Sequence, residues 1–120
     1  FKDLSITEIH TIEAIGKEGN RTMGEIANDL RITVGTLTTA INRLIKKGYV
    51  ERKRIEEDRR VVVVYLTESG KKVFDEHTLF HKEMIDEVAK NFEDYELKVL
   101  TKALSKVSEF FEDKYQDLKE

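Results

Sequence analysis

Residues 24–73, GEIANDLRITVGTLTTAINRLIKKGYVERKRIEEDRRVVVVYLTESGKKV, change their hydrophobic period twice, and those changes decide the fold. At the N-terminal edge, Thr22-Met23-Gly24-Glu25 is a capping box, and Met23, Ile26, Ala27 and Leu30 share one face of a short helix. Two or three residues later Thr33 caps a further helix over 33–47, with Val34, Leu37, Ile41, Leu44 and Ile45 as its apolar stripe and Gly48 as its stop. From Val50 the pattern becomes extended. Val50 to Ile55, a polar tip at Glu56-Glu57-Asp58, and Arg60 to Leu66 with four consecutive valines predict a β-hairpin over 50–66.

Outward from this stretch the elements are helical. Upstream, Ser5-Ile6-Thr7-Glu8 is another capping box, followed by Ile9, Ile12 and Ile15 and stopped by Gly16. Downstream, Thr67 opens a long helix with Val73, Phe74, His77, Phe80, His81, Met84, Ile85 and Val88 on one stripe. Leu97, Leu100, Ala103, Leu104, Val107, Phe110 and Phe111 form a second stripe, with the joint near Asn91 to Glu93. Helix, short helix, tight turn, helix, hairpin is the order of a winged helix-turn-helix. The expected fold is therefore mainly α with a small β-hairpin wing. Residues 1–72 form the DNA-binding region and 67–120 long C-terminal dimerisation helices, within a single domain overall. The stripes of 67–120 would serve either an enlarged monomer core or a helical dimer interface, and the prevalence of symmetric dimers favours the second.

Composition narrows the function. A length of 120 residues with 39% hydrophobic and 38% charged residues suits one globular domain. There is no Cys, which excludes disulfides, thiolate metal sites, cysteine nucleophiles and thiol redox sensing. No run approaches the roughly 20 apolar residues of a membrane span, and the N-terminus lacks a signal-peptide layout, so a cytoplasmic protein with no membrane partner is expected. The net charge of −3 hides an uneven distribution: residues 31–60 carry nine Lys/Arg against four Asp/Glu, and residues 83–120 carry six against eleven. A basic middle beside an acidic end fits a phosphate-binding surface.

Placed at about 100° per residue, the face of the third helix opposite its apolar stripe holds Gly35, Thr36, Thr39, Asn42, Arg43 and Lys46, with Thr33 at the helix start. Short hydroxyls at the N-terminal end and an amide suited to adenine are what base-edge reading in the major groove requires. Gly35 costs a helix about 1 kcal/mol relative to Ala, which hints at a close backbone approach. An ordinary solvated face is the alternative. At the hairpin tip, Arg59 and Arg60 suit a narrow minor groove, with Asp58 placed to pair with Arg60 and orient it. An exposed pair of this kind is worth 0 to about 1 kcal/mol, so its role would be positioning.

The segment Leu44 to Arg52 (Leu-x-x-x-Gly-Tyr-Val-x-Arg), the Asp-x-Arg of Asp58 and Arg60, and the Leu-Thr-x-x-Gly of Leu66 to Gly70 together resemble the MarR family. The resemblance covers nearly the whole chain. It implies a homodimeric transcriptional repressor whose terminal helices intertwine beneath two winged domains and which binds a pseudo-palindromic double-stranded DNA operator. Family members usually carry a further helix before the first one here, and the part of the dimer interface that this helix supplies is expected to be absent from this sequence. The segments HTIEAIGK, ITVGTLTTAINRLIKKGY and HTLFHKEM are most similar to repressors of fatty-acid synthesis genes in Firmicutes. That similarity implies control of fatty-acid biosynthesis, with long-chain acyl groups on acyl carrier protein as co-repressor. Phe74, Phe80 and Met84 would then line the acyl pocket, or else be ordinary core.

His77 and His81 stand four residues apart on one helical face, a spacing able to bind one metal, and together with His10 their positions resemble those where zinc-responsive MarR members keep ligands. Zn(II) at His10, His77 and His81 is thus a second reading, against which stands a polar, hydrogen-bonded patch of the dimer interface. No other cofactor is implied. An enzyme is not expected, because His-Glu-x-x-His, glycine-rich phosphate loops and Gly-x-Ser-x-Gly are all missing. A winged-helix protein-interaction module that never touches bases is the rival of another class. A neutral or acidic face on the third helix would mark it, and the Thr36, Thr39, Asn42, Arg43 face argues against it.

Overall fold

In the computed structural model, which describes residues 3–119, the element order is α1 (Ile6–Ile15), β1 (Arg21–Thr22), α2 (Met23–Leu30), α3 (Val34–Lys47), β2 (Val50–Arg54), β3 (Val62–Leu66), α4 (Glu68–Ala89) and α5 (Asp94–Lys119). Both expected capping boxes form: Glu8 N–H donates to Ser5 Oγ at 3.1 Å, Glu25 N–H donates to Thr22 Oγ1 at 3.2 Å, and each glutamate accepts from its cap's backbone N–H. Thr33 caps α3, and Gly48 ends it at φ 88° with Tyr49 N–H reaching back to Leu44 O at 3.0 Å. A positive φ is why glycine stands there. The tight turn between α2 and α3 uses Arg31 in the same left-handed region, at φ 58°.

The chain divides into two compact units, one running to Phe80 and one from His81. The first unit holds the core. Ile12 and Ile15 of α1, Ile26 of α2, Leu37, Ile41 and Leu44 of α3, Val50 and Val64 of the sheet and Val73 of α4 are all buried. At about 2 kcal/mol gross per buried aliphatic side chain, the three residues of α3 alone anchor that helix firmly and leave its opposite face free. The sheet is antiparallel in the order β1-β3-β2, with Val50 opposite Leu66 and Arg52 opposite Val64. β1, pairing Arg21 with Val64 and Thr22 with Val63, had no sequence signal, because two residues show no alternation.

Several boundaries and burials differ from expectation. The strands are shorter than 50–55 and 60–66: Ile55, Arg60 and Val61 belong to the tip, where Ile55 N–H donates to Val61 O and Val61 N–H to Asp58 O. Val34 is half-exposed rather than part of the buried stripe, since the first residue of α3 faces an open surface groove that no other described side chain fills. Thr67 is the cap of α4 rather than its first helical residue: its Oγ1 accepts from Gly70 N–H at 3.2 Å and donates to Gly48 O at 2.7 Å. A Cβ on Gly70 would lie 2.2 Å from Tyr49 O, so glycine is required where α4 crosses the end of α3. In the second unit, Val99, Leu104, Val107, Phe110 and Phe111 of α5 are all more than half exposed. Among the described residues, no helix is long and apolar enough to cross a membrane.

Candidate nucleic-acid interface

Burying Leu37, Ile41 and Leu44 turns the remainder of α3 outward. Thr33, Gly35, Thr36, Thr39, Asn42, Arg43 and Lys46 are all exposed. The hydroxyls are locally satisfied. Thr36 N–H and the Thr33 hydroxyl form the cap pair, with Thr33 Oγ1 donating to Thr36 Oγ1 at 2.9 Å, and Thr39 Oγ1 donates back to Gly35 O at 3.4 Å. Thr39 therefore offers outward its methyl and its hydroxyl lone pairs. The side chains of Asn42, Arg43 and Lys46 have no hydrogen-bond or ion-pair partner among the described residues, so their donors remain available to a ligand. A Cβ on Gly35 would meet only Thr33 Oγ1, at an ordinary 3.9 Å, so nothing within the chain demands glycine there.

At the wing, Asp58 and Arg60 form the expected pair as a two-pronged fork: Nε donates to Oδ1 at 3.0 Å, Nη2 to Oδ2 at 3.1 Å, and the Arg60 N–H adds a third bond. The hydrogen bonds from Arg60 hold the Asp58 carboxyl below its ordinary range and push the guanidinium up. Both stay charged throughout the neutral range. Arg59 is exposed and lies 3.5 Å from Glu56. A brace not expected from the sequence completes the tip: Arg54 Nη1 donates to Arg59 O at 2.7 Å, tying the strand to it. The unbroken run Glu51 to Arg54, all exposed in a strand, was its available signal.

Also missed was a charge removed from the surface. Glu8 is buried and accepts from Lys47 Nζ at 3.0 Å on both carboxylate oxygens, while Lys47 also donates to Asp3 O. Burial alone would raise the Glu8 pKa, but hydrogen bonds from Ser5 N–H, Lys47 and Ser5 Oγ outweigh it and hold the carboxyl below its ordinary value. Tyr49 donates to Asp3 Oδ1 at 2.8 Å, which raises the phenol. Together these bonds pin the C-terminal end of α3 to α1 and the segment before it.

The other expected site residues are dispersed. His10 and His77 meet edge to face with centroids 6.1 Å apart, and His77 Nε2 lies 2.9 Å from Glu13 Oε2. His81 is exposed in the second unit, and among the described residues no three His, Cys, Asp or Glu side chains converge as metal ligands would. Phe80 lines an apolar groove of about 490 Å³ with Ile6, Ile9, Val73, Glu76 and His77. Phe74 instead lines a different depression beside Glu13 to Arg21, and Met84, nearly half exposed, belongs to the second unit.

Comparison with known proteins supplies context. The MarR family model matches residues 4–62. The HTH-type transcriptional regulator BilQ of Clostridium symbiosum is 31% identical over 105 residues, which cover 87% of this chain and 72% of that protein. Among solved structures, Streptococcus pneumoniae FabT in complex with DNA shares 42% identity with a TM-score of 0.90, covering 94% of this chain and 79% of the other. The zinc-responsive MarR family member ZitR of Lactococcus lactis shares 30% identity with a TM-score of 0.71, covering 91% and 77%.

Proposed function

This chain belongs to the MarR family of transcriptional regulators, and we propose that it is a dimeric repressor that reads a pseudo-palindromic operator with α3 and its wing. The observation that carries this reading is the exposed α3 face, where Asn42, Arg43 and Lys46 keep their donors beside the Arg59 and Arg60 wing. α3 enters the major groove with Gly35, Thr36 and Thr39 nearest the bases. Arg59 reaches the adjoining minor groove, and the Asp58–Arg60 fork holds the tip in shape. The glycine at 35, which the chain itself does not need, supports a close backbone approach to DNA. Dimerisation rests on the exposed apolar side chains of α5, too many to stand singly on a monomer surface.

The finer reading is control of fatty-acid synthesis genes, with acyl chains on acyl carrier protein as co-repressor. It rests on the sequence resemblance and is supported by the 42% identity to DNA-bound FabT. The apolar groove at Phe80 is the part of the first unit that suits an alkyl chain. A zinc-responsive regulator is the second reading; it rests on the likeness to ZitR and on the four-residue spacing of His77 and His81, while no three ligating side chains converge among the described residues.

One experiment tests both levels. Genome-wide mapping of bound sites is expected to return a two-fold symmetric motif with half-sites about one turn, 34 to 36 Å, apart, beside fatty-acid synthesis genes. Gel shifts on that motif are expected to tighten with long-chain acyl carrier protein and to ignore zinc. Absence of any motif refutes DNA reading. A zinc effect lost in His77→Ala replaces the acyl reading by the metal one.

A further inference from the structure

Between the N-terminal half of α3 and strand β2 lies an open groove of about 490 Å³. Its apolar lining is Met23, Val34 and Val62, and its polar lining is Thr38, Arg52, Arg54 and Lys53, the last of which alternates to the other face of the strand from Arg52. The two polar ends differ in what they have left to offer. Thr38 spends its proton on Val34 O at 2.8 Å, and Arg54 spends part of its fork on Arg59 O. Arg52 is exposed, and its side chain has no hydrogen-bond or ion-pair partner among the described residues. It stands opposite Val64, a buried residue, so alternation along the strand puts Arg52 on the α3 side of the sheet with Val50.

The groove thus presents C–H surface on its floor and one uncommitted guanidinium at its wall. An occupant with an apolar ring face and an anionic oxygen face satisfies both, and a deoxyribose with its phosphate is such a unit. Position names the same occupant. α3 lies on one side of the groove and the wing on the other, and if they enter the major and minor grooves of one duplex, the strand separating those grooves must pass between them.

We propose that this groove seats the operator strand between the major and minor grooves, with Arg52 clamping one phosphate per half-site and Val34 packing against the adjoining sugar. Arg52 is then a positioning residue. It sets how deeply α3 and the wing enter and reads no base. The inference rests on the DNA reading above and adds a contact to it.

The test uses the full chain, the selected operator duplex, a scrambled duplex, and operators carrying single methylphosphonates, which remove one phosphate charge at a time. Arg52→Ala should weaken binding to operator and scrambled duplexes by the same factor. It should also lower the slope of log K against log salt by about 0.9 for each protomer, near 1.8 for a dimer. One methylphosphonate per half-site that weakens wild type several-fold should leave Arg52→Ala unaffected. Arg52→Lys, which keeps the charge without the fork, should restore most of the slope. Circular dichroism confirms folding of each variant, which the exposed position of Arg52 favours. Should Arg52→Ala retain the full salt slope and respond to every methylphosphonate as wild type does, the seat is refuted while DNA reading stands. If wild type fails to distinguish operator from scrambled duplex, DNA reading itself has failed.

Discussion

Gly35 and Gly70 both sit in the first turn of a helix, and alanine at each should shift stability in opposite directions. Helix propensity alone favours alanine by about 0.5 to 1 kcal/mol at either position. At Gly70 the new Cβ would stand 2.2 Å from Tyr49 O and 3.1 Å from Leu66 Cβ. A carbon and a carbonyl oxygen need about 3.3 Å, so α4 must retreat by roughly 1 Å. That retreat strains two bonds at the crossing, Thr67 N–H to Tyr49 O at 3.0 Å and Thr67 Oγ1 to Gly48 O at 2.7 Å. Overpacking costs about 1 to 3 kcal/mol and each strained bond about 1, so after the propensity gain Gly70→Ala should lose about 3 kcal/mol. Gly35→Ala meets nothing nearer than 3.9 Å and should gain about 0.5 kcal/mol. Urea unfolding followed by circular dichroism at fixed protein concentration measures both. A Gly70→Ala protein as stable as wild type refutes the steric argument. The same Gly35→Ala protein should bind operator about tenfold more weakly, or about 1.4 kcal/mol, because the added methyl stands where DNA approaches. Unchanged affinity in that more stable protein would remove the close approach from the proposed interface.

Asn42→Ala and Thr39→Ala should each lose about 1 to 3 kcal/mol of discrimination at particular base pairs with the salt slope nearly constant. Lys46→Ala should instead weaken all duplexes alike and lower the slope by about one for each phosphate that the lysine no longer neutralises, and anisotropy on operator and scrambled duplexes at several salt concentrations separates the two behaviours. Glu8→Gln should cost about 2 kcal/mol at neutral pH, since it removes a charged partner from Lys47 and weakens the α1 cap. Because the folded Glu8 pKa lies below its ordinary 4.5, its contribution is complete above that value and is lost as pH falls through the folded pKa. Stability of Glu8→Gln should therefore fall less steeply than wild type below pH 4.5, and equal acid limbs would refute the assignment. Leu104→Asp with Phe111→Asp should convert a dimer into a monomer in sedimentation and abolish operator binding, and a persisting dimer would place the interface elsewhere.

Features that act through local chain chemistry were legible in the sequence. Ser5, Thr22, Thr33 and Gly48 mark helix ends because a cap is a contact between residues three or four apart, and each works as its type dictates. The same holds for Asp58 and Arg60, two residues apart on a turn. Long-range features were hidden. Nothing local distinguishes Lys47 from Lys46, yet one is tied to Glu8, 39 residues away, and the other faces outward. Both lie in the basic segment 31–60 and look alike there. Only the packing of α1 against the end of α3 shows that Lys47 is already neutralised. Val34 failed for the complementary reason. Its position on the helical wheel continues the apolar stripe, but burial depends on what lies opposite, and at the first turn of α3 there is a groove. An apolar side chain left open beside Arg52, with its free guanidinium, changes what that end of the helix is for. A pattern of residue types shows which face differs from the others, and the fold decides whether that face meets protein or a ligand.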